Sequence, residues 1–269
     1  MHYLDTTSIE SQPNWAEQTL RNAIRVGELA IHYQPIVNIR SGDIVPIQAE
    51  ALFRWAHPEH GIMTPTGSAD FTAFKKLMIQ ATDCVFRLAA DQLNTWRQNG
   101  MELSMAVNLA GDLLNDTEFP ARLRQIIEAA SLRPQEMCLE LTQADVSSLS
   151  TLARDTAEHL ASLGFPLVLD NVGSGPMPVE VLADVPWAGM KIDRHVTQRL
   201  EHSERARNLV RGLVHLGHDL KMTVCTHGVE RRKTLLLLTA LGCDRAQGWY
   251  FGRPMPAEAF ANALEQSDA

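Results

Sequence analysis

The chain has 269 residues, an apolar fraction of 45% and a formal net charge of −8 at pH 7. This length and composition predict a globular protein with a sizeable core. The acidic balance, without a run of basic residues, argues against binding to duplex nucleic acid, because phosphate contacts need clustered Lys and Arg.

The N-terminus predicts neither a signal peptide nor a membrane anchor. The stretch MHYLDTTSIESQPNW has no basic region followed by an apolar run, and no part of the chain approaches 18 uninterrupted apolar residues. Residues 1–13 are polar and are expected to form a flexible lead to one domain at 14–269. The four cysteines form no CxxC pair, so we expect reduced thiols in a cytoplasmic protein.

The first predicted elements are a helix and two strands. Apolar residues with helical spacing predict a helix at 15–29, and alternating patterns predict strands at 30–39 and 44–55. The turn signal RSGD at 40–43 is too short for a parallel crossover. The two strands are therefore expected to form an antiparallel hairpin.

Helices and strands then alternate along the rest of the chain. Helices are predicted near 69–98, 117–130, 148–163, 178–184, 195–218 and 230–241, with a last one from about 256. Strands are predicted at 103–109, 137–142, 166–170, 189–193, 222–226 and 243–248. This pattern predicts the α/β class, as a closed (β/α)8-like barrel of the TIM type with an antiparallel first strand.

Most predicted strands carry a polar residue at the carboxyl end, where barrel enzymes place their chemistry. These residues are Glu50, Asn108, Glu140, Asp170, Lys191, His227 and Gln247. Polar residues are common at half-exposed strand ends, so each one taken alone is explained by exposure. Three carboxylates at one mouth would repel each other unless a cation lies among them, and oxygen ligands suit Mg²⁺, Mn²⁺ or Ca²⁺. Lys191 would then position a water or neutralise a phosphate oxygen.

Arg54 lies four residues beyond Glu50, and an even separation in a strand places both side chains on one face. Two interpretations stay open, a bidentate contact with a phosphate and a salt bridge to Glu50. His215 and His218 share a predicted helix, but a lone pair at this spacing is rarely a metal site and is interpreted as helix surface.

Short motifs occur along the chain in a fixed order. They are YQPIV (33–37), EALFRW (50–55), HP (57–58), VNL (107–109), LELT (139–142), KIDR (191–194), GVE (228–230) and GCDRAQGWYFGRPMP (242–256). In order and spacing, over roughly 15–266, they resemble the motifs of the EAL domain family of bacterial cyclic di-GMP phosphodiesterases. The resemblance implies a barrel with an antiparallel first strand, divalent metal ions and cyclic di-GMP as the ligand.

The resemblance also implies roles for single residues. The metal ligands would be Glu50, Asn108, Glu140 and Asp170. The catalytic residues of an active member would be Glu50 and Lys191. The ligand-binding residues would be Gln34, Arg54, Glu230 and Gln247. One Mg²⁺ or Mn²⁺ is implied, with Ca²⁺ as a substitute or an inhibitor.

Several positions depart from the family motifs. The second Asp of DDFG is Asn171, the Glu of AEGVE is His227, and the second Glu of ELTE is Gln143. The loop after DDFG reads SGPMP at 174–178, and an apolar segment usually written FIPLAEE is replaced by SADFTAF at 68–74. Asn171 is uncharged and His227 offers a nitrogen that Mg²⁺ takes poorly, so a second metal site is expected to be weak.

The sequence therefore predicts a degenerate EAL domain, a cyclic di-GMP-binding or protein-interacting regulatory module with weak or no hydrolysis. Two alternatives stay open, an active or slow metal-dependent cyclic di-GMP phosphodiesterase and a nucleotide-independent interaction scaffold. A protein partner in a signalling or transcription pathway and a homodimer are expected, whereas duplex nucleic acid and membranes are not.

Overall fold

The structure is a computed structural model. It describes residues 22–23, 25–40, 45–64, 71–147, 149–176 and 179–265, apart from the side chains of 71–80. The predicted lead at 1–13, most of the first predicted helix and nearly all of the turn at 40–43 lie outside the described residues. Parts of the SGPMP and SADFTAF segments lie outside them as well.

In the described part of the chain, nine strands form one sheet. They are β1 (Leu29–Asn38), β2 (Val45–His57), β3 (Gly61–Met63), β4 (Ser104–Asn108), β5 (Met137–Thr142), β6 (Leu167–Val172), β7 (Gly189–Ile192), β8 (Thr223–Thr226) and β9 (Arg245–Gln247). Eight of them follow the order β1-β9-β8-β7-β6-β5-β4-β2, and pairing of β1 with β2 closes the barrel. The short β3, which the sequence did not predict, extends β2 as a hairpin.

The first strand is the antiparallel member of the barrel. β1 pairs in antiparallel register with both β2 and β9, whereas the neighbours from β2 through β4 to β9 pair in parallel. This confirms the predicted (β/α)8-like barrel with an antiparallel first strand. Seven parallel strands thus direct their carboxyl ends to one mouth, and β1 directs its amino end there.

Helices alternate with the parallel strands. They are α1 (Phe71–Gln98), α2 (Phe119–Ala129), α3 (Gln143–Val146), α4 (Thr151–Ser162), α5 (Glu180–Asp184), α6 (Arg194–Thr197), α7 (Glu204–Asp219), α8 (Arg232–Ala240) and α9 (Ala257–Glu265). Apolar residues at helical spacing explain why they pack on the barrel: α2 buries Phe119, Leu123, Ile126 and Ile127 on one face. No described helix is long and apolar enough to span a bilayer.

The single helix predicted at 195–218 is two helices in the structure, α6 and α7. Asp193 caps α6 by accepting a hydrogen bond from the His195 N–H, at 2.7 Å. Ser203 caps α7 by accepting one from the Ala206 N–H, at 3.1 Å. A side-chain oxygen that satisfies a free amide favours the start of a new helix. The prediction of one helix was wrong, and Ser203 in HSERA was the signal against it.

The inside of the barrel has a polar layer near the mouth and an apolar layer beneath it. The apolar layer consists of Ile36, Ala106, Cys138, Val168 and Cys225. Three of them, Ala106, Cys138 and Cys225, are smaller than the branched residues that usually fill a TIM-type barrel. They leave a cavity of about 260 Å³ that reaches up to Glu140 and Lys191.

Candidate functional site

The polar residues predicted at the strand ends meet at the mouth of the barrel. Five strands, β2, β5, β6, β7 and β9, each contribute one buried polar side chain. These are Glu50, Glu140, Asp170, Lys191 and Gln247. Parallel pairing explains the meeting, since the carboxyl ends of neighbouring strands lie at the same edge. Asn108, at the end of β4, pairs in register with Glu140 and is exposed.

The ammonium group of Lys191 lies between two carboxylates. Its Nζ is 2.6 Å from Oε2 of Glu50, and 3.0 and 3.3 Å from Oε2 and Oε1 of Glu140. The Lys191 side chain is 2% exposed. Removing one partner of such a buried pair typically costs ~3–5 kcal/mol, because it leaves a charge without compensation. The three side chains therefore depend on one another for their placement.

Amide side chains hold Glu50 from the other sides. Gln247 Nε2 donates to Oε2 of Glu50 at 2.7 Å, and Asn108 Nδ2 donates to Oε1 at 3.0 Å. Gln247 Nε2 also lies 3.2 Å from Oε1 of Gln34, whose Nε2 donates to the Gly252 carbonyl at 2.9 Å. The structure thus joins predicted ligand-binding residues from β1 and β9 to the predicted catalytic glutamate.

Three carboxyl groups surround one ammonium group in this layer, and burial and mutual repulsion shift their pKa values. Burial alone would raise the pKa of Glu50, but the neighbouring Lys191 charge holds it below its usual range. Burial raises the pKa of Glu140, and repulsion by Glu50 and Asp170 adds to it although Lys191 opposes it. Burial raises the pKa of Asp170 as well. Burial would lower the pKa of Lys191, but these carboxylates raise it well above its usual range.

The donor set fits one divalent cation. Within the described residues, no three His, Cys, Asp or Glu side chains are arranged as a metal centre, and Lys191 lies where Glu50 and Glu140 converge. Three carboxylates nevertheless face a single ammonium. In addition, Oε1 of Gln247 is buried and accepts no hydrogen bond from a described residue. Carboxyl groups that outnumber the internal ammonium, together with an unused oxygen, are features that suit a hard cation.

Asn171 and His227 occupy the two positions where the family motifs have carboxylates. Asn171 has a left-handed backbone, with φ of 59°, and its N–H donates to Oδ1 of Asp170 at 2.7 Å. His227 directly follows β8, and its N–H donates to the Ile192 carbonyl at 3.0 Å. Burial lowers the pKa of His227 to about 4, with a further contribution from Lys191. The imidazole is therefore neutral at pH 7 and adds no negative charge.

Gln143 fixes the segment that follows β6. It is buried at the start of α3, and its Nε2 donates to the carbonyls of Gly175 and Pro176 at 2.6 and 2.8 Å. Its Oε1 accepts from the Gly173 N–H at 3.0 Å. Sequence analysis identified Gln143 only as a departure from a motif. The helix start in TQAD, where Thr142 accepts from a later N–H, could have placed it beside the mouth.

Arg54 and Glu230, the other predicted ligand-binding residues, lie outside this network. Arg54 is half-buried, and its Nη1 donates to the Phe53 carbonyl at 2.7 Å. As far as the chain is described, Arg54 forms no ion pair with Glu50, which leaves the phosphate contact as the prediction to test. Glu230 is exposed and follows Val229, whose N–H donates to the Gln247 carbonyl at 3.0 Å. It therefore lies at the rim beside β9.

An aromatic edge follows Gln247 at the end of β9. Trp249 and Tyr250 are 55% and 40% exposed. The guanidinium of Arg253 lies 4.1 Å from the centre of the Trp249 ring, a cation–π contact. These residues belong to a motif identified in the sequence, but the contact was not predicted, because it depends on how the loop folds back.

Comparison with known proteins places these features in one family. The family model of the EAL domain matches residues 17–254. MucR of Pseudomonas aeruginosa, a bifunctional diguanylate cyclase/cyclic di-GMP phosphodiesterase, is 31% identical over 240 residues, covering 89% of this chain and 35% of MucR. The cyclic di-GMP phosphodiesterase PdeR of Escherichia coli is 30% identical over 246 residues, covering 91% of this chain and 37% of PdeR. The chain thus spans about a third of the length of these curated relatives.

The barrel also matches a solved structure that contains the nucleotide. It superposes on the PaMucR phosphodiesterase in its complex with c-di-GMP with a TM-score of 0.82 and 31% identity. The match covers 90% of this chain and 98% of that one.

Proposed function

This chain belongs to the EAL domain family, and from that premise we propose that it is a cyclic di-GMP-binding regulatory module with weak or no hydrolysis. The observation that carries the proposal is a complete polar layer around Lys191 beside two neutral residues, Asn171 and His227. The similar PaMucR phosphodiesterase has been solved with c-di-GMP bound, which supports the choice of ligand.

The proposed roles follow from the geometry of the mouth. Glu50, Asn108, Glu140 and Asp170 would hold one Mg²⁺ or Mn²⁺, and Ca²⁺ would replace it without supporting turnover. When bound, such an ion polarises a phosphodiester. Lys191 keeps Glu50 ionised and oriented, since burial without the ammonium would favour the protonated carboxyl.

The binding wall would be formed by residues from β1, β2 and β9. Gln247 donates to Glu50 and to Gln34, and Gln34 donates to the Gly252 carbonyl, so both amides are preorganised. Arg54, on the same face of β2 as Glu50, would donate to a phosphate oxygen, and Glu230 would contact the ligand from the rim. On this proposal all residues of the binding wall are present, so the ligand binds although hydrolysis is weak.

Weak hydrolysis follows from the missing charge. Hydrolysis with two metals uses cations ~3.5–4 Å apart, which together bring four positive charges. Neither Asn171 nor the neutral imidazole of His227 supplies charge to compensate a second ion. The remaining carboxylates already face an internal ammonium, so a second ion is expected to bind weakly.

An active phosphodiesterase is the second candidate. The intact layer of Glu50, Glu140, Asp170 and Lys191 favours it, as does the similarity to MucR and PdeR, which are named as cyclic di-GMP phosphodiesterases. A scaffold that binds no nucleotide is the third. A cytoplasmic location, a protein partner in signalling or transcription and a homodimer complete the proposal, in keeping with four free cysteines.

Calorimetric titration with cyclic di-GMP, with and without Mg²⁺ or Mn²⁺, separates the three candidates when linear dinucleotide is assayed in parallel. We expect binding in both conditions and little product. Turnover at ~1 per second or faster, a typical enzyme rate, would establish the phosphodiesterase instead. Absence of binding in the presence of either metal would support the scaffold and reject the proposal.

A further inference from the structure

A second pocket lies at the opposite end of the barrel from the candidate site. Its volume is about 500 Å³, within the range of small-molecule sites. It is formed where β1 ends and where β2, β8 and β9 begin, which is the amino-terminal end of the parallel strands. The residues at the mouth of the barrel do not contribute to its lining.

The charged side chains of this pocket are mostly cationic. Arg40, Lys221 and Arg245 line it together with a single carboxylate, Asp244. Both oxygens of that carboxylate have partners within the protein. Oδ1 accepts from Arg40 at 2.8 Å. Oδ2 contacts His218 Nε2 at 2.9 Å and accepts from the Val224 N–H at 2.8 Å. A basic pocket in a chain of net charge −8 is a local feature and does not reflect the overall composition.

Arg245 has more donors than partners. It lies on the inward face of β9, two residues before Gln247, and is half-buried between this pocket and the cavity inside the barrel. The one hydrogen bond that its side chain makes with a described residue is long, from Nη1 to Oε1 of Gln48 at 3.5 Å. A guanidinium offers five N–H donors in a planar fork that matches a phosphate, and most of these donors have no acceptor among the described residues.

The interior cysteines next to Arg245 do not supply that acceptor. Burial raises the pKa of Cys225 to about 12 and raises the pKa of Cys138 further still. Both remain neutral thiols at pH 7, and a thiol is a weak hydrogen-bond acceptor. A ligand that satisfies Arg245 must therefore bring its own negative oxygen atoms.

Lys221 occupies a backbone position that favours glycine. It follows α7 with a left-handed φ of 64°, whereas Gly100, Gly164 and Gly242 follow α1, α4 and α8 with φ of 84°, 98° and 85°. A residue with a side chain is disfavoured in this conformation. Lysine nevertheless occupies this position at the edge of the basic pocket, and its side chain makes no hydrogen bond or ion pair with any described residue.

From these observations we propose that the pocket binds a phosphate group, either as free phosphate or as a small phosphomonoester. Arg245 contributes the guanidinium fork, Lys221 a mobile ammonium group and Arg40 a further positive charge. This second site is separate from the mouth of the barrel and does not depend on the proposed cyclic di-GMP site.

The test is a calorimetric titration with inorganic phosphate and, separately, with ribose 5-phosphate, at constant ionic strength in EDTA. The variant Lys221→Gly removes the ammonium but leaves a residue that suits the backbone. We expect roughly tenfold weaker phosphate binding, as for loss of a charge-assisted hydrogen bond, with a Tm equal to or above that of the wild type. Arg245→Gln should weaken binding to a similar extent.

The matched control is Ser131→Gly. Ser131 follows α2 with the same left-handed backbone, φ of 56°, so this variant changes the backbone alone and should bind phosphate like the wild type. Arg54→Ala, at the mouth, should also leave phosphate binding unchanged. Tighter binding of ribose 5-phosphate than of phosphate would identify a phosphomonoester site, and the reverse a phosphate site. Equal affinities of the wild type and Lys221→Gly, loss of binding in Arg54→Ala, or no binding of either probe at millimolar concentration would overturn the proposal.

Discussion

Asn171 and His227 lack the negative charge of the carboxylates that the family motifs have at these positions. The backbone at both positions is compatible with Asp and Glu. Asn171 has φ of 59°, a conformation that Asp tolerates nearly as well as Asn. His227 is anchored through its backbone N–H, which any residue other than proline would provide. Carboxylates can therefore be restored at both positions without rebuilding the loops.

We expect the double variant Asn171→Asp with His227→Glu to hydrolyse cyclic di-GMP faster than the wild type. Two added charges would compensate a second divalent ion, and a two-metal site stabilises both the attacking and the leaving oxygen. Each single change should have little effect, because residues that act as a unit are strongly non-additive. The measurement is formation of linear dinucleotide in Mg²⁺ and in Mn²⁺ for all four proteins.

The result of that assay also tests the cause of weak hydrolysis. If the wild type and the double variant are equally inactive while both bind cyclic di-GMP, the missing carboxylates are not the limiting defect. The segment held by Gln143 would then be the next candidate, since a poorly supported site is inactive even with all its ligands in place.

Arg54→Ala is expected to weaken cyclic di-GMP binding by about 1.5–3 kcal/mol, the value of a charge-assisted hydrogen bond. The half-buried guanidinium donates to a carbonyl of its own strand and has donors left for a phosphate. Calorimetry compares it with Arg211→Ala, whose arginine is exposed on α7 and donates to Asn208. Equal affinity of the Arg54 variant and the wild type would reject the phosphate contact.

The half-buried imidazole of His227 makes the free energy of unfolding depend on pH. Its pKa falls from 6.5 to about 4 on folding, so above pH 6.5 the imidazole is neutral in both states and does not lower the free energy of unfolding. As the pH falls below 6.5, His227 is protonated in the unfolded state but stays neutral in the folded state. The free energy of unfolding therefore decreases. At ~1.4 kcal/mol per pKa unit, we expect a loss of about 2 kcal/mol by pH 5. Urea unfolding of His227→Gln in EDTA should show a smaller fall than the wild type, and parallel curves would contradict this origin.

At the scale of elements, the link between α3 and the segment after β6 rests on one amide group. Gln143→Glu replaces the donor to the carbonyls of Gly175 and Pro176 by a second acceptor, which places oxygen against oxygen. We expect a loss of about 1–3 kcal/mol in the free energy of unfolding, with faster amide exchange at 173–176. Gln125→Glu, on the exposed face of α2, is the control and should stay within ~0.5 kcal/mol. Unchanged exchange in the Gln143 variant would show that other contacts hold the segment.

Hydrophobic periodicity predicted most elements because their signals are local. The strands of the barrel and the longer helices lie within a few residues of their predicted bounds. The predictions failed where one capping side chain or a short pairing decides the structure. Ser203 divides a continuous helical pattern into α6 and α7, Thr142 starts the four-residue α3, and β3 pairs over only three residues. Such short features are not detected by a hydrophobic pattern that is evaluated over about a dozen residues.

Across the whole molecule, closure of the barrel decides which polar residues meet. The topology explains why Glu50 and Lys191, 141 residues apart in sequence, come into contact, and the polar strand ends predicted that they share one mouth. The sequence could not predict that the ammonium would lie between Glu50 and Glu140, because this depends on rotamers set by packing. Nor did it indicate the basic pocket at the other end, whose members come from four separate strands and loops.

The charge of the polar layer sets how many metal ions the closed barrel can hold. Glu50, Glu140 and Asp170 bring three negative charges when ionised, and Lys191 compensates one of them. The remaining charge matches one divalent cation, whereas a second ion would leave uncompensated positive charge in a buried layer. Such charge is costly in a medium of low dielectric constant.

We therefore expect no more than one tightly bound divalent ion per chain. Dialysis against Mn²⁺ followed by elemental analysis should give a ratio near one for the wild type and near zero for Asp170→Asn, which removes a ligand while keeping its shape. The double variant Asn171→Asp with His227→Glu should raise the ratio toward two, because its added carboxylates supply the missing negative charge. A wild-type crystal grown in Mn²⁺ with two fully occupied ions ~3.5–4 Å apart would contradict this limit and, with it, the reason given for weak hydrolysis.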